Sequence, residues 1–383
     1  MKFFFTLFSV AWASSNQNQT ILQNLFTNNR TSIFASLLSL PDFRNITNQL
    51  HSPNNNNITL FAPSDESFKK AGVSNSSSVS QNVTLKDLLY NWLDYHIVAN
   101  ETYLFPSEQG LDNQTANNSM IYMYHEGSQS QRRILKTSLV RFASETGNQT
   151  SSSSTAGAGS NGNQTSSISS NYTSNQVLIV DPYTNQIIHG NPSQPANVTQ
   201  ANQISSNGVF HVIDDVLEVP QNITNALSQL NQTDAWNSLS QNDTSMADSS
   251  QTLMTFFIPS NQAIQSQPSS SSNSSLNLQD YFVNGTAYYS PLFFSSQNQT
   301  NQTSQQGNQT MEMQFSIQLA SGKNLSVTMQ NDTFLFNGTR SIYSDVLVEN
   351  GVVYVIDGLW NNSTQGSNST QAMNIPSLRR IIQ

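Results

Sequence analysis

Apolar residues in this chain are bunched into short patterned stretches, separated by long runs of Asn, Gln, Ser and Thr. After Thr84, the residues Leu85, Leu88, Leu89, Trp92 and Leu93 recur at the spacing of one helix face. Thr84 supplies an N-cap for that helix, and Asp87 approximates a capping box while favouring the helix N-terminus. A second helix is predicted from Ser32 through Ile33, Phe34, Leu37 and Leu38, stopping before Pro41. Other stretches carry strand signals. Val209, Phe210, Val212 and Ile213, like Val352, Val353, Val355 and Ile356, are β-branched or aromatic and follow an Asn-Gly turn. Leu325, Val327 and Met329 alternate with polar residues, and Phe334 and Phe336 do so ahead of an Asn337-Gly338 hairpin turn.

These patterns occur twice. The stretch 59–68 (TLFAPSDESF) returns as 255–264 (TFFIPSNQAI), and 207–219 (NGVFHVIDDVLEV) returns as 350–360 (NGVVYVIDGLW) in the same order. The paired boxes lie about 148 residues apart in the first unit and about 95 in the second, so the first carries an insertion. Residues 144–175, a Ser/Gly/Asn/Thr run with almost no apolar positions, read as that insertion and as a flexible loop. Helices early and strands late in each unit predict an α+β fold. The expected organisation is a first domain over 16–220, a second over 221–360 and a polar tail over 361–383.

Composition narrows the function classes. The net charge of −9 gives no electrostatic footprint for nucleic acid. Cysteine is absent, which excludes thiol catalysis, zinc-cysteine sites and disulfides, so each domain must be stable through its core alone. Lys2, the apolar run 3–10 (FFFTLFSV) and Ala11-Trp12-Ala13 resemble an export signal with a small-x-small cleavage site, giving a signal peptide over 1–14. No later stretch approaches the ~20 apolar residues of a membrane span. The terminal segment 376–383 is too short and too basic for a GPI signal. The acceptor pattern Asn-x-Ser/Thr occurs about twenty-seven times. Candidates for glycosylation include Asn45, Asn57, Asn82, Asn100, Asn197, Asn284, Asn331, Asn337 and Asn368. Acceptors inside strands, such as Asn57 and Asn324, must face outward to be used.

The boxes themselves resemble those of the fasciclin domain family. The family's first box resembles a strand ending in Phe-Ala-Pro before a polar turn and a short helix, matched by Phe61, Ala62 and Pro63. Its second resembles Asn-Gly-Val-x-His-Val-Ile-Asp, matched by Asn207, Gly208, Val209, His211, Val212, Ile213 and Asp214. Tyr95-His96 fits the family's Tyr-His pair at a helix end. The second unit departs from this pattern: Ile258 replaces the alanine, Tyr354 replaces the second-box histidine, and Tyr281-Phe282 takes the place of Tyr-His. The resemblance implies two tandem domains, each a β-sandwich or wedge with several short helices. It also implies adhesion or matrix interaction through a cell-surface or matrix protein or a polysaccharide. Tyr95, His96 and Asp345 match the positions that the family's receptor binding would use, and in the first unit the place of Asp345-Val346 is taken by Asn202-Gln203-Ile204. The Tyr-His pair itself is expected to pack at a helix end with its imidazole tied to backbone, ahead of any ligand-binding role.

A search for chemistry finds little. None of His51, His96, His125, His189 and His211 shares a metal-binding spacing with another. The G-x-G-x-x-G match at 157–162 lies in the low-complexity insertion without a strand-turn-helix context. Asp65-Glu66 and Asp214-Asp215 are adjacent pairs whose members point to different faces, so neither forms an acid/base couple. Asp65 is expected to cap the helix after Pro63, and Asp214 to end a strand. Arg132, Arg133, Lys136 and Arg141 form the only basic concentration, read as a solvated strand or loop face ahead of a contact for an acidic glycan or phospholipid head group. No catalytic, metal or cofactor site is expected. The leading expectation is a non-enzymatic extracellular or cell-surface adhesion glycoprotein. The alternative is a lumenal, vacuole-type protein with a structural or membrane-traffic role.

Overall fold

The two boxes of each unit, distant in sequence, lie side by side as parallel strands. Strand β1 (Ile58–Pro63) pairs with β7 (Gly208–Ile213) from Ile58↔Gly208 to Pro63↔Ile213. Likewise β8 (Met254–Pro259) pairs with β14 (Gly351–Ile356) from Met254↔Gly351 to Pro259↔Ile356. The fold is seen in a computed structural model describing residues 16–52, 57–75, 79, 89, 92–99, 101–105, 133–136, 177–182, 184–240, 253–266, 276–295, 314–330 and 333–360. The expected signal peptide, the insertion at 144–175 and the tail at 361–383 lie outside these residues, as do Thr84, Leu85, Asp87 and Leu88.

Around the first parallel pair run β2 (Ile97–Val98), β3 (Arg133–Lys136), β4 (Val177–Asp181), β5 (Gln186–Ile188) and β6 (Ala196–Ser205), in the order β2-β1-β7-β6-β5-β4-β3. Around the second run β9 (Phe282–Asn284), β10 (Gln314–Gln318), β11 (Asn324–Gln330), β12 (Thr333–Phe336) and β13 (Thr339–Val348), in the order β10-β11-β12-β13-β14-β8-β9. All other strand pairs are antiparallel. The long strands β6 and β13 carry register shifts, the local bends that let one sheet turn over on itself.

Both faces of β1 are covered, so all six of its residues are buried and the run is apolar but for Thr59. Ile58, Leu60 and Ala62 face a helical layer that supplies Ile21, Leu25, Phe34, Leu37, Ile46 and Leu50. Phe61 faces the wedge interior with Leu178, Val180, Ile187 and Val198. That layer is α1 (Ile21–Thr27), α2 (Ser32–Leu38), α3 (Arg44–His51) and α4 (Asp65–Lys70). The predicted helix at Ser32 forms over the expected span, and Leu89 and Leu93 of the other predicted helix are buried in the same layer. Asp65 departs from expectation. Ser64 caps α4, accepting the Ser67 amide, while Asp65 reaches across to accept the Ile33 amide at 2.7 Å and the Ser32 hydroxyl at 2.6 Å. Its carboxylate therefore serves the start of α2, which Thr31 leaves without a side-chain cap.

The second unit repeats the plan with α5 (Ile223–Gln229), α6 (Asp234–Ser240), α7 (Asn261–Gln265) and α8 (Ser290–Ser295). Its wedge interior is aromatic: Phe257, Phe336 and Tyr354 lie within 4.7–5.7 Å of one another by ring centroid. Val177 and Ile179 of β4 join this second core, so the two units share a packed boundary.

Candidate functional site

Tyr95 ends the helical turn at 92–95 and His96 follows it, immediately before β2; both side chains are fully buried. The Tyr95 hydroxyl donates to the Val177 carbonyl at 2.6 Å. Burial, with a smaller push from Tyr289, raises its pKa well above the usual phenol value. His96 is held at both ring nitrogens. Its Nε2 accepts the Leu217 amide at 2.8 Å. Because a backbone N–H can only donate, the ring proton sits on Nδ1 and is given to the Trp92 carbonyl. Burial lowers its pKa to about 3, outweighing the bond to Trp92.

Two further imidazoles are buried in the first unit. His211 Nδ1 accepts the Asn202 amide at 3.0 Å and its Nε2–H donates to the Tyr103 carbonyl at 3.0 Å; burial brings its pKa to about 3. His189 Nδ1 accepts the Glu218 amide at 3.0 Å, and burial lowers it to about 4. The consecutive amides of Leu217 and Glu218 thus fasten the chain leaving β7 to two neutral imidazoles.

Asp345 sits at the bend of β13 with φ +57 and no exposed surface. Its Oδ1 accepts the Ser290 amide at 2.7 Å and the Tyr354 hydroxyl at 3.2 Å. Asn202 is its counterpart in β6: φ is +55 and Oδ1 accepts the Phe105 amide at 2.9 Å. Asn and Asp tolerate this left-handed backbone better than other non-glycine residues. Strand register corrects one expected equivalence. The Phe61 amide donates to the His96 carbonyl, and the Phe257 amide to the Tyr281 carbonyl. Asp280-Tyr281, not Tyr281-Phe282, therefore occupies the Tyr95-His96 place. The aromatic identity suggested the wrong frame, because a strand shifted by one residue exchanges its faces.

His96, His211 and Asp345 are thus bound to the chain's own backbone, and His189 is held to it through Nδ1. Among the described residues, no group of three or more His, Asp or Glu side chains could hold a metal ion. The fasciclin domain model matches residues 29–150 and 221–360. The chain belongs to the fasciclin domain family. No curated protein matches it. Among solved structures it is similar to a FAS1 domain pair from the insect cell adhesion molecule fasciclin I, with 15% identity, 88% of this chain and 94% of that one covered, and a TM-score of 0.31. Strands β4 to β7 extend the first fasciclin unit beyond residue 150, since β7 pairs with β1.

Away from the wedge interiors, a cleft of about 580 Å³ lies where the two fasciclin units meet. It is lined by Gln186 and Asn191 from the first unit and by Gln262, Arg340, Ile342 and Tyr343 from the second. Sequence reasoning missed these residues because they come from separate elements and share no motif. Of the glycosylation candidates, Asn45, Asn57, Asn284 and Asn337 are exposed. Asn57 directly precedes β1, and Asn324 opens β11, also exposed. Asn197 is half-buried, and its Nδ2 donates to Asp214 Oδ2 at 2.9 Å. Asn82, Asn100, Asn331 and Asn368 lie outside the described residues.

Proposed function

We propose that this fasciclin-domain protein is a non-enzymatic, exported glycoprotein that adheres to a cell-surface or matrix partner, protein or polysaccharide. The observation that carries the reading is the internal commitment of its reactive groups. His96, His189, His211 and Asp345 each hydrogen-bond a backbone amide in a buried position. Buried polar groups satisfied in this way, as His96, His211 and Asp345 are, serve packing and rigidity, not turnover. Tyr95, His96 and Asp345 then support recognition indirectly, by holding the wedge that presents the surface. Exposed acceptors at Asn45, Asn57, Asn284 and Asn337 suit a glycan-covered exterior. The domain limits 16–220 and 221–360 belong to the same reading.

The lumenal alternative is disfavoured by the same histidines. Three buried imidazoles that stay neutral when folded weaken the first unit in an acidic compartment, because the unfolded chain takes up protons that the folded chain refuses. The test is binding of the full glycosylated chain to intact cells and to isolated matrix and wall fractions. Saturable binding is expected; a protein that saturates no surface at any concentration overturns the adhesion reading.

A further inference from the structure

We propose that the cleft between the two units binds a neutral hexose chain. This rests on the adhesion reading and names the surface that would carry it. The volume of about 580 Å³ falls within the roughly 300–1,000 Å³ of small-ligand sites.

The charge in the lining points to an uncharged occupant. Arg340 is the cation there, and Asp345 and Asp357 are the carboxylates. Asp345 is bound to Ser290 and Tyr354, and Asp357 accepts the Arg340 amide at 2.9 Å. Asp345 has no exposed surface, so a ligand would meet one carboxylate, Asp357, beside one guanidinium, a balance without net charge. A sugar ring instead offers hydroxyls around its rim and a face of C–H groups. The cleft matches both. The Gln262 amide and the Arg340 guanidinium are exposed, so they are open to hydroxyls. Tyr343, 37% exposed beside Ile342, supplies a ring on which the C–H face can lie. Asn191 is fixed by donating to Glu218 Oε1 at 3.1 Å.

A second observation comes from the glycan acceptors. The chain offers about twenty-seven of them, yet the asparagine that lines the cleft is followed by Pro192 and Ser193. Proline in the middle position removes Asn191 from the acceptor set. A glycan there would fill the cleft, and the sequence withholds it at that position.

The experiment is calorimetric titration of the full-length glycosylated protein with short β-glucan oligomers, with manno-oligosaccharides of the N-glycan type, and with oligogalacturonate as the charged control. Saturable binding of a neutral oligomer is expected. Whether glucan or mannan binds separates a wall polymer from a glycoprotein glycan as the source. Tyr343→Ala should weaken binding about tenfold, and Gln262→Ala by a smaller factor. Phe26→Ala, an exposed aromatic on α1 outside the cleft lining, should leave it unchanged. Thermal unfolding of each variant should match the parent, since both cleft side chains are exposed. Failure of every neutral oligomer to bind overturns the proposal. So does binding that survives the Tyr343→Ala, Gln262→Ala double variant, or a preference for oligogalacturonate. Cell binding that persists in the double variant sinks the cleft and leaves adhesion standing. Oligomer binding through the cleft by a protein that binds no cell does the reverse.

Discussion

The two units fasten the same places with different side chains. Where the first uses His96 to accept the Leu217 amide, the second uses the Tyr281 hydroxyl to accept the Trp360 amide at 3.1 Å. Leu217 and Trp360 lie four residues beyond the ends of β7 and β14 respectively. Where the first has His211 bonded to Asn202 and Tyr103, the second has Tyr354 bonded to Asp345 and Tyr288. Thr59 and Thr255 do not differ: each hydroxyl donates to a carbonyl, of Glu101 or Thr286, and accepts an amide, of Tyr103 or Tyr288. The fold thus preserves the amide accepted beyond β7 and β14 and the donation to the Tyr103 or Tyr288 carbonyl, while one bond reverses: His211 accepts the Asn202 amide and Tyr354 donates to the Asp345 carboxylate. The exchange changes how each unit answers to pH. All five histidines precede residue 221, so the second unit contains none.

Acid should separate the units most strongly. His96, His189 and His211 have folded pKa values of about 3, 4 and 3, below the unfolded histidine value of 6.5. A depressed pKa of this kind contributes stability that is complete above pH 6.5 and is lost as pH falls toward the folded values. At pH 5 each histidine costs about 2 kcal/mol, and the three together about 6 kcal/mol, comparable to a domain's whole stability. Burial raises the pKa of Asp215 and Glu218, which offsets part of this at the acid end. Acid titration followed by hydrogen exchange should show the first unit opening before the second; simultaneous opening would break the comparison.

Next in size are the glycines that the units share. Gly208 and Gly351 have φ +150 and +147, and a Cβ on either would lie 2.1 Å from the Ile58 carbonyl or 1.8 Å from that of Met254. Gly208→Ala and Gly351→Ala should each cost about 4 kcal/mol or more in their own unit, measured by urea unfolding. A mild effect in one unit would show that the parallel pairs are not equivalent. Tyr354→Phe removes the donor to a buried carboxylate and should cost about 2 kcal/mol, while Tyr281→Phe leaves the Trp360 amide without its acceptor and should cost about 1 kcal/mol. Asn45→Gln, on the exposed face of α3, should change stability by less than about 0.5 kcal/mol, with loss of one glycan seen by mass if that acceptor is used.

Much of the architecture was legible from local chemistry. The helix at Ser32, the strands after each Asn-Gly and the Asn337-Gly338 turn, with φ +50 and +79, follow from short-range pattern and turn chemistry. The repeat revealed two units because both copies must solve the same packing problem. The Asp345 place was matched correctly to Asn202, since both stand at the same distance before their Asn-Gly turn. The Tyr281 frame and the role of Asp65 were not legible. The first depends on strand register and the second on how α4 meets α2, and neither is encoded within a few residues.

The sequence alone therefore determined the number of units, the helix at Ser32, the strands of the repeated boxes and the absence of thiol chemistry, because these depend on neighbours along the chain and on composition. Only the tertiary structure decided which backbone groups Tyr95 and His96 fasten, that Asp345 is a buried fastener, and that Gln186, Asn191, Gln262, Arg340 and Tyr343 meet in one cleft. Burial and convergence are set by which distant strands pair and how two sheets close, and the same side chain in the same local sequence can be fastener or contact accordingly.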